Sequence, residues 1–578
     1  MVRSTWIVLA GLSWPLYLTV SLLHLASATN ALASAVDDAQ KPLNDALRAE
    51  QSFTDVPNDH TEESSFGEHN ATLAESWTSE APAQTLQDLL DALTVMQDKY
   101  FSLWLAKWPT SIDWTAAVVQ THLTATLSTF SSHALDIALA AEPQSSDLAF
   151  LAHENTVSRF FSHSTSFYYG ENAFSIRTQA YDDMLWVVLE WLENIKFQKL
   201  HTDLHYPPSS NQSTSDAWYG TQFRDAAAHR ARIFWELAAA GWDRTLCGGG
   251  MVWNPSLIPY KNAITNELYI SASIAMYLYF PGDPIDAPLL ASQGNNKLYL
   301  DAAVEAYAWL KHSNMTRGTA GLYGDGFHIS GWRGRSDPGS KKCDDLNHMV
   351  YTYNQGVVLS GLRGLWLATG AQEYLQDGHD LVHAVQRATG WPTVSKTWAG
   401  LGRGGVLEEA CDSHGSCSQD GQTFKGIFFH HLTEFCRPLR PQEKRFLDVQ
   451  KVADVDEEWD IVYRRHLEQC REYGRWIEHN AKAALVTRDD EGKFGAWWGL
   501  PFEYAFEYVQ QEDIVNSSVL VDGSIDYRNE EVEGDVKVSP GVPRDFNDRG
   551  RGRTVETQSG GISVLRALLQ WQTLDGIS

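Results

Sequence analysis

Two carboxylates stand side by side in the stretch Tyr181-Asp182-Asp183-Met184-Leu185-Trp186-Val187-Val188-Leu189-Glu190-Trp191. The stretch contains no Gly or Pro and has apolar residues at nearly every helical angle, which predicts a helix buried on all sides. Adjacent carboxylates are costly to bury unless they are paired, hydrogen-bonded or open to a water-filled cleft. At a helix start they could simply complement the positive end of the dipole. In a cleft they could instead hydrolyse a glycoside. An inverting pair straddles a water at roughly 6.5–9.5 Å, whereas a retaining pair, roughly 5–5.5 Å apart, forms a covalent sugar–enzyme intermediate. Neighbours on a helix start lie near the shorter range, so retention follows if both act. Mutual repulsion would then raise the pKa of one, leaving it protonated as the acid while the other stays ionised.

Such a pair needs a scaffold, and the chain supplies a repeated one. Tyr181 opens one apolar helix, Tyr260-Lys261-Asn262-Ala263-Ile264-Thr265-Asn266-Glu267 opens a second that runs to about Tyr279, and Tyr353-Asn354-Gln355-Gly356 opens a third that runs to about Thr369. Each is followed by a more amphipathic helix: Phe223 to Ala240, Tyr299 to Leu310, and Tyr374 to Thr389. Gly-rich loops then lead back, through Cys247-Gly248-Gly249-Gly250-Met251-Val252-Trp253-Asn254-Pro255, Gly321 to Gly326, and Gly404 to Glu409. This is an internal repeat. Further apolar helices are expected near Leu86–Leu105, Phe424–Cys436 and Gln558–Gln570, making six. Apolar helices need a second layer to cover them, so the expected fold is an all-α (α/α)6 barrel of two concentric rings. An open solenoid of hairpins is the competing architecture.

In a closed barrel the starts of the inner helices share one face. That face would gather Asp182, Asp183, Asn262, Asn266, Tyr353, Asn354 and Gln355, and the loops would add Trp253, Asn254, Tyr323, Asp325 and Glu408. Carboxamides and carboxylates hydrogen-bond hydroxyls, while flat aromatics such as Trp186 and Trp253 stack on the C–H face of a pyranose. Each residue also has a plainer reading. Trp186 and Trp191 could be core, and Asn262, Asn266 and Asn354 could be helix caps. Glycines 248–250 could form only a tight turn, since the Gly-Lys-Ser/Thr ending of a phosphate loop is missing. Trp497-Trp498-Gly499 could be a remote sugar platform or core.

Taken in order, several of these segments resemble glycoside hydrolase family 76, the endo-α-1,6-mannanases. They are Tyr181 to Trp186, Gly248 to Pro255, Tyr260 to Glu267 and Thr352-Tyr353-Asn354-Gln355-Gly356, together with Asp325-Gly326, Phe424-Lys425-Gly426 and Thr557-Gln558-Ser559. The resemblance covers about residues 84–575. It implies an (α/α)6 barrel and retaining cleavage of internal α-1,6-mannosidic bonds. It also implies that Asp182 is the nucleophile and Asp183 the acid/base, with no cofactor and no metal. Its implied partner is α-1,6-linked mannan or a mannoprotein glycan. Fungal wall-linked relatives are thought to transfer glycoproteins to the wall, and the chain shares the Glu409-Ala410-Cys411 … Cys417 … Phe424-Lys425 region with them. It departs from them by an insertion at about 511–556 and by having no visible C-terminal anchor signal. A non-catalytic mannan-binding protein is the reading from a different class.

Composition limits the partners. The 578 residues carry a net charge of 45 − 73 = −28, which disfavours nucleic acid and anionic membranes and suits a neutral substrate. Residues 1–28 read as a secretory signal, with small-residue cleavage patterns at Ala26-Ser27-Ala28 and as late as Ala33-Ser34-Ala35. Residues 36–82 read as a flexible acidic leader, and 84–578 as the glycosidase domain. The six cysteines are an even set that suits an oxidising compartment. Cys411–Cys417 is the natural local pair, and Cys247–Cys343 with Cys436–Cys470 would complete three, although pairing cannot be read from sequence. Without a CxxC or Cys-His cluster, zinc at the cysteines is disfavoured. Asn70, Asn211, Asn314 and Asn516 begin N-x-Ser/Thr acceptors. A monomer is expected, secreted and extracellular or wall-associated, with no stable membrane anchor after signal cleavage.

Overall fold

The structure, a computed structural model, describes residues 81–140, 146–207, 218–285, 293–394, 396–413, 415–450, 458–500 and 545–574. The expected signal segment, nearly all of the leader, residues 511–544 of the expected insertion and the acceptors Asn70, Asn211 and Asn516 lie outside them. Among the described residues, no helix is long and apolar enough to cross a membrane.

Helices dominate, and their order alternates between two layers. The inner helices are α2 (Asp113–Ala140), α4 (Tyr181–His205), α6 (Ala263–Tyr279), α8 (Thr352–Thr369), α10 (Gln419–Cys436) and α12 (Val555–Leu574). Each packs on the next, and α12 packs back on α2, so the ring is closed. The outer layer is α1 (Ala81–Val95), α3 (Ser146–Gly170), α5 (Arg224–Ala239), α7 (Lys297–His312), α9 (Glu373–Ala388) and α11 (Gly474–Val486). Each outer helix lies against an inner one, which makes the (α/α)6 barrel. An open solenoid would lack the α12–α2 contact.

One inner helix is not where its pattern suggested. The stretch near Leu86–Leu105 is the outer helix α1 followed by a wide turn at Met96–Tyr100. The sixth inner helix is α2, whose sequence from Thr115 to Ser132 is dense in Thr and Ser. Those hydroxyls are hidden by bonding back along the helix: Thr121 to the Ala117 carbonyl, Thr124 to Gln120, Thr126 to His122, Ser128 to Thr124 and Ser131 to Leu127. A helix can therefore be buried throughout while its letters look polar.

The ring is pinned at its upper end by polar ties between helix starts. Glu556 of α12, fully buried, accepts from Gln419 of α10 (2.7 Å) and from the Thr115 hydroxyl of α2 (2.8 Å). Gly426 of α10 lies so close to α12 that an added Cβ would sit 2.9 Å from the Gly560 Cα. Small residues let the two backbones approach where larger side chains would hold them apart. Above this end lie a small antiparallel sheet, β1 (Lys261–Asn262), β2 (Gly326–His328) and β3 (Asp345–Asn347), and the hairpin β4–β5 (Gly402–Arg403, Val406–Leu407).

All three expected disulfides are present, Cys247–Cys343, Cys411–Cys417 and Cys436–Cys470, with no free cysteine. The expected insertion is corrected at its C-terminal end. Residues 545–556 are not surface loop: Asn547 is buried with its Oδ1 accepting the Trp497 N–H (2.7 Å), and α12 begins at Val555. The segment Pro438 to Asp454 contains the helix Pro441–Gln450, which delivers a fully buried Glu443 to the lower end of the barrel. Asn314, the described acceptor, is exposed.

Candidate active site

The helix α4 starts where its apolar pattern requires, and its first turn carries both carboxylates. Ala180 cannot cap it with a side chain. The Asp183 Oδ2 instead reaches back to accept the Ala180 N–H (3.0 Å), which is half of a capping box. Asp182 is buried and Asp183 half-buried, so the second is the more exposed. The Asp182 carboxylate accepts the indole N–H of Trp253 at Oδ2 (3.0 Å) and the Asp183 N–H at Oδ1 (3.2 Å).

Trp253 is held over Asp182 by its backbone. Its carbonyl accepts the Tyr181 N–H (2.9 Å), and its own N–H donates to the Tyr260 carbonyl (2.8 Å). The glycine loop before it is anchored from inside. The buried Lys261 ammonium donates to the carbonyls of Asp243 (2.6 Å), Leu246 (2.9 Å), Gly250 (2.9 Å) and Gly249. A phosphate loop turns N–H groups inward, whereas this loop turns carbonyls inward, so the glycines form a turn. Gly250 has φ +89°, and a Cβ there would strike the Trp309 ring at 2.5 Å.

Several expected binding residues gather around the pair. Tyr353 is half-buried and lies flat on Phe424 (centroids 3.8 Å, 9°). Burial, then the charges of Asp325 and Asp182, hold its phenol protonated. Asp325 accepts from the Tyr260 hydroxyl (2.6 Å) and the Asn347 amide (3.3 Å), and burial raises its pKa. Asn354 is fully buried beside Asp325, and neither carboxamide atom makes a hydrogen bond of ordinary geometry. Asn262 occupies the cap position of α6 without capping it, and its buried Oδ1 has no partner. Both carboxamides thus keep capacity that a cap would have used. Tyr323 stays half-buried. Asn254 is half-buried and turns its loop by accepting the Ser256 N–H (2.8 Å).

Four expectations are corrected. Asn266 is fully buried, with Oδ1 accepting the Met251 N–H (2.7 Å) and its amide donating to the Asn262 carbonyl (2.8 Å); it is a clamp on the loop. Gln355 is likewise fully buried and grips loop backbone, accepting the Tyr323 N–H (2.8 Å) and donating to the Tyr323 (3.0 Å) and Tyr351 (3.0 Å) carbonyls. Trp186 is buried behind Trp114, on which it stacks (5.7 Å, 23°). Glu408 is fully buried, accepting from the Trp497 indole (3.0 Å) and paired with Arg403 (3.3 Å). Trp497 and Trp498 are therefore core, not a platform.

The residues missed by pattern are Asp113, Trp114 and Asp420. The half-buried Trp114 donates its indole N–H to Asp420 (2.9 Å), and Gln179 donates to Asp113 (3.1 Å). Asp113-Trp114 opens α2 much as Tyr181-Asp182 opens α4, and that likeness was the available signal.

Electrostatically the site collects carboxyl groups that have no Lys or Arg partner among the described residues. Burial, then the Asp183 charge, push Asp182 well above the usual carboxylate range. Burial pushes Asp183 up to about 7, with Asp420 and Asp113 adding to it. Glu267 is fully buried below the mouth with both oxygens unpartnered, and burial followed by Asp325 holds it protonated. Such an arrangement can present one ionised and one protonated carboxyl at the same time, which is what acid–nucleophile chemistry needs.

Residues 225–451 match the model of Glycosyl hydrolase family 76. The mannan endo-1,6-α-mannosidase DCW1 of Saccharomyces cerevisiae is 29% identical over 210 residues, 35% of this chain and 38% of that enzyme. DFG5 of the same yeast, with the same activity in its name, is 26% identical over 200 residues, 33% of this chain and 35% of that enzyme. The matched part thus spans less than two fifths of each. Among solved structures, an inactive variant of the α-1,6-mannanase of Salegentibacter sp. HEL1_6 in complex with α-1,6-mannotetrose has a TM-score of 0.47 at 16% identity, covering 84% of this chain and 99% of that one. Dfg5 of Chaetomium thermophilum in complex with glucosamine has a TM-score of 0.48 at 14% identity, covering 85% and 91%.

Proposed function

We propose that this chain, whose residues 225–451 match the model of glycosyl hydrolase family 76, is a glycoside hydrolase of that family and a retaining, endo-acting α-1,6-mannanase. One observation carries the proposal: adjacent carboxyls on one helix start, both raised in pKa, with Asp183 the more exposed of the two. The family match begins at residue 225, so the roles of Asp182 and Asp183 rest on this geometry and on the sequence resemblance.

Asp182 is the nucleophile. Its carboxylate accepts two N–H donors, the Trp253 indole and the Asp183 backbone at the positive end of α4, against one for Asp183, and these work against burial to favour its ionised form. It attacks the anomeric carbon while Asp183 gives its proton to the departing oxygen. A mannosyl ester on Asp182 results. Asp183 then takes a proton from the incoming hydroxyl, which displaces Asp182 with a second inversion and net retention. A pKa of about 7 lets Asp183 serve in both directions near neutral pH. Trp114, Trp253 and Tyr353 offer ring faces to the sugars, and Asn262, Asn354 and Asp325 meet hydroxyls. The substrate is a neutral mannan or mannoprotein glycan, which a surface of net charge −28 does not repel. Three disulfides and the apolar N-terminal segment support export to the cell surface or beyond.

The test is incubation with unbranched α-1,6-mannan, following product length and the anomer first released by NMR. Shortened chains with an α-configured first product support the proposal. A β-configured first product or intact chains would overturn it. Lengthened or transferred chains would reassign the same site to transglycosylation.

A further inference from the structure

At the far end of α4 lies a second cluster that the reaction does not use. His201 and His205 stand one turn apart on that helix, and Glu154 of α3 faces both. Their donor atoms all lie within 4.8 Å of one another. The His205 Nδ1 is 2.6 Å from Glu154 Oε1, and the His201 Nε2 is 3.4 Å from Oε2. Side-chain exposure is 0% for His201, 7% for His205 and 9% for Glu154, so the group is walled off from solvent.

The hydrogen bonds around the cluster decide which ring nitrogens carry protons. The Ser131 hydroxyl donates to the Leu127 carbonyl (2.8 Å), so toward His201 it can only accept. The His201 Nδ1, 2.9 Å from that hydroxyl, therefore carries the hydrogen. This leaves the Nε2 lone pair of a fully buried ring without a partner, pointed at a carboxylate. The His205 Nε2 is 2.8 Å from the Ser131 carbonyl, an acceptor only, so it too carries a hydrogen, and its Nδ1 shares a proton with Glu154 Oε1. The Tyr206 hydroxyl donates to Glu154 Oε2 (3.0 Å) and fixes the carboxylate.

One unpartnered imidazole lone pair, on His201, and one nitrogen that shares a proton with the carboxylate, on His205, converge on Glu154, so a cation that replaced that proton would meet three donors at once. We propose that Glu154, His201 and His205 form a binding site for a divalent cation of the zinc class. Two histidines, one carboxylate and an open fourth position make a known zinc donor set. Each ligating ring has its other N–H held by Ser131, the outer support that metal-bound histidines need. Tetrahedral bonds of about 2.0–2.1 Å place donor atoms about 3.3 Å apart. The His201 pair already matches that spacing, and the His205 pair has only to open slightly. Binding displaces the proton shared between His205 and Glu154. The ion would bolt α4 to α3. Nineteen residues of helix separate His201 from Asp182, about 28 Å, so its role is structural.

The experiment uses the full chain without a histidine tag, treated with chelator and then titrated with Zn2+ by calorimetry and with Co2+ by absorption. One ion per chain, intense Co2+ d–d bands of a four-coordinate site and a higher thermal midpoint with Zn2+ are expected. His201→Gln, His205→Asn and Glu154→Gln should each weaken binding at least tenfold and abolish the midpoint shift. Variants as tight as wild type, or no binding by wild type, would overturn the site. Should a variant misfold by circular dichroism, zinc-edge X-ray absorption on the wild type decides: two imidazoles in the shell support the site, and an all-oxygen shell refutes it.

Discussion

The two ends of the barrel treat buried charge in opposite ways. At the upper end Asp182, Asp183, Asp325 and Glu267 have no Lys or Arg partner among the described residues, and burial pushes every one of them up. At the lower end Glu434 and Glu443 are equally buried but sit among Lys196, Arg363, Arg437 and Arg566, and both are held well below the usual range. Burial alone would raise all of them, so the cations decide the sign. Six helices converge at both ends. One end keeps its protons for chemistry at a cost in stability, and the other is a closed ion network that holds the helices together.

The largest expected effect comes from removing the proton logic at the upper end. Asp182→Asn should lower kcat/KM on α-1,6-mannan by about 10⁴-fold or more, and Asp183→Asn by about 10²–10⁴-fold. Both should stay folded. The Asp183 variant should retain activity on aryl mannosides, and azide should speed its turnover by releasing a mannosyl azide. Azide rescue of the Asp182 variant alone would exchange the two roles.

At the lower end Glu443→Ala should do the reverse. It strands Arg363 and Arg437 in the interior and should cost about 3–5 kcal/mol in denaturant unfolding. Activity per folded molecule should stay the same. A catalytic loss with normal stability would break the division between the ends.

A smaller effect is expected from Trp253→Phe, which keeps the ring and deletes the donor to Asp182. A hydrogen bond to a charged group is worth about 1.5–3 kcal/mol, so turnover should fall about 10–100-fold. Asn354→Ala should weaken turnover with little change in thermal midpoint. Several degrees lost with normal kinetics would make Asn354 a structural residue.

The smallest effect is a pH dependence of opposite sign at the two ends. Glu267 has a folded pKa well above its unfolded value of 4.5. Above pH 4.5 the unfolded chain loses that proton while the folded chain keeps it, so stability falls as pH rises, by about 1.4 kcal/mol per unit for one proton. Glu267→Gln should remove that slope between pH 6 and pH 7. Glu434 and Glu443 have folded pKa values below 4.5, so their contribution is present above that pH and is lost as pH falls. Unfolding titrations of Glu267→Gln that parallel wild type across pH 6–7 would remove Glu267 from this account.

Local pattern was enough for the helices whose burial is written in apolar letters. The start of α4 and the ends of α6, α8 and α10 follow from their runs, and of the cysteine pairs only Cys411–Cys417 was suggested by its spacing. The Asp182-Asp183 pair was legible because both residues lie on one turn, where neighbours in sequence are neighbours in space. Helix α2 was not legible, because a hydroxyl bonded to its own helix can be buried while the letter still reads as polar.

Everything that depends on which helices meet was left to the tertiary structure. Asn266 and Gln355 look like sugar-binding residues in their motifs, but packing turned them onto the backbone of neighbouring loops. Trp114 and Asp420 are 306 residues apart and meet only because the ring closes. Glu154 reaches His201 and His205 from another helix, so no spacing announced the cluster. The amino-acid order determined the apolar helices and the carboxyl pair, because those are set by periodicity and burial along one element, while closure of the ring came from the contact between α12 and α2. The lining of the cleft, and the charge state of each buried acid, were decided by contacts between elements, where the nearest cation or donor comes from another part of the chain.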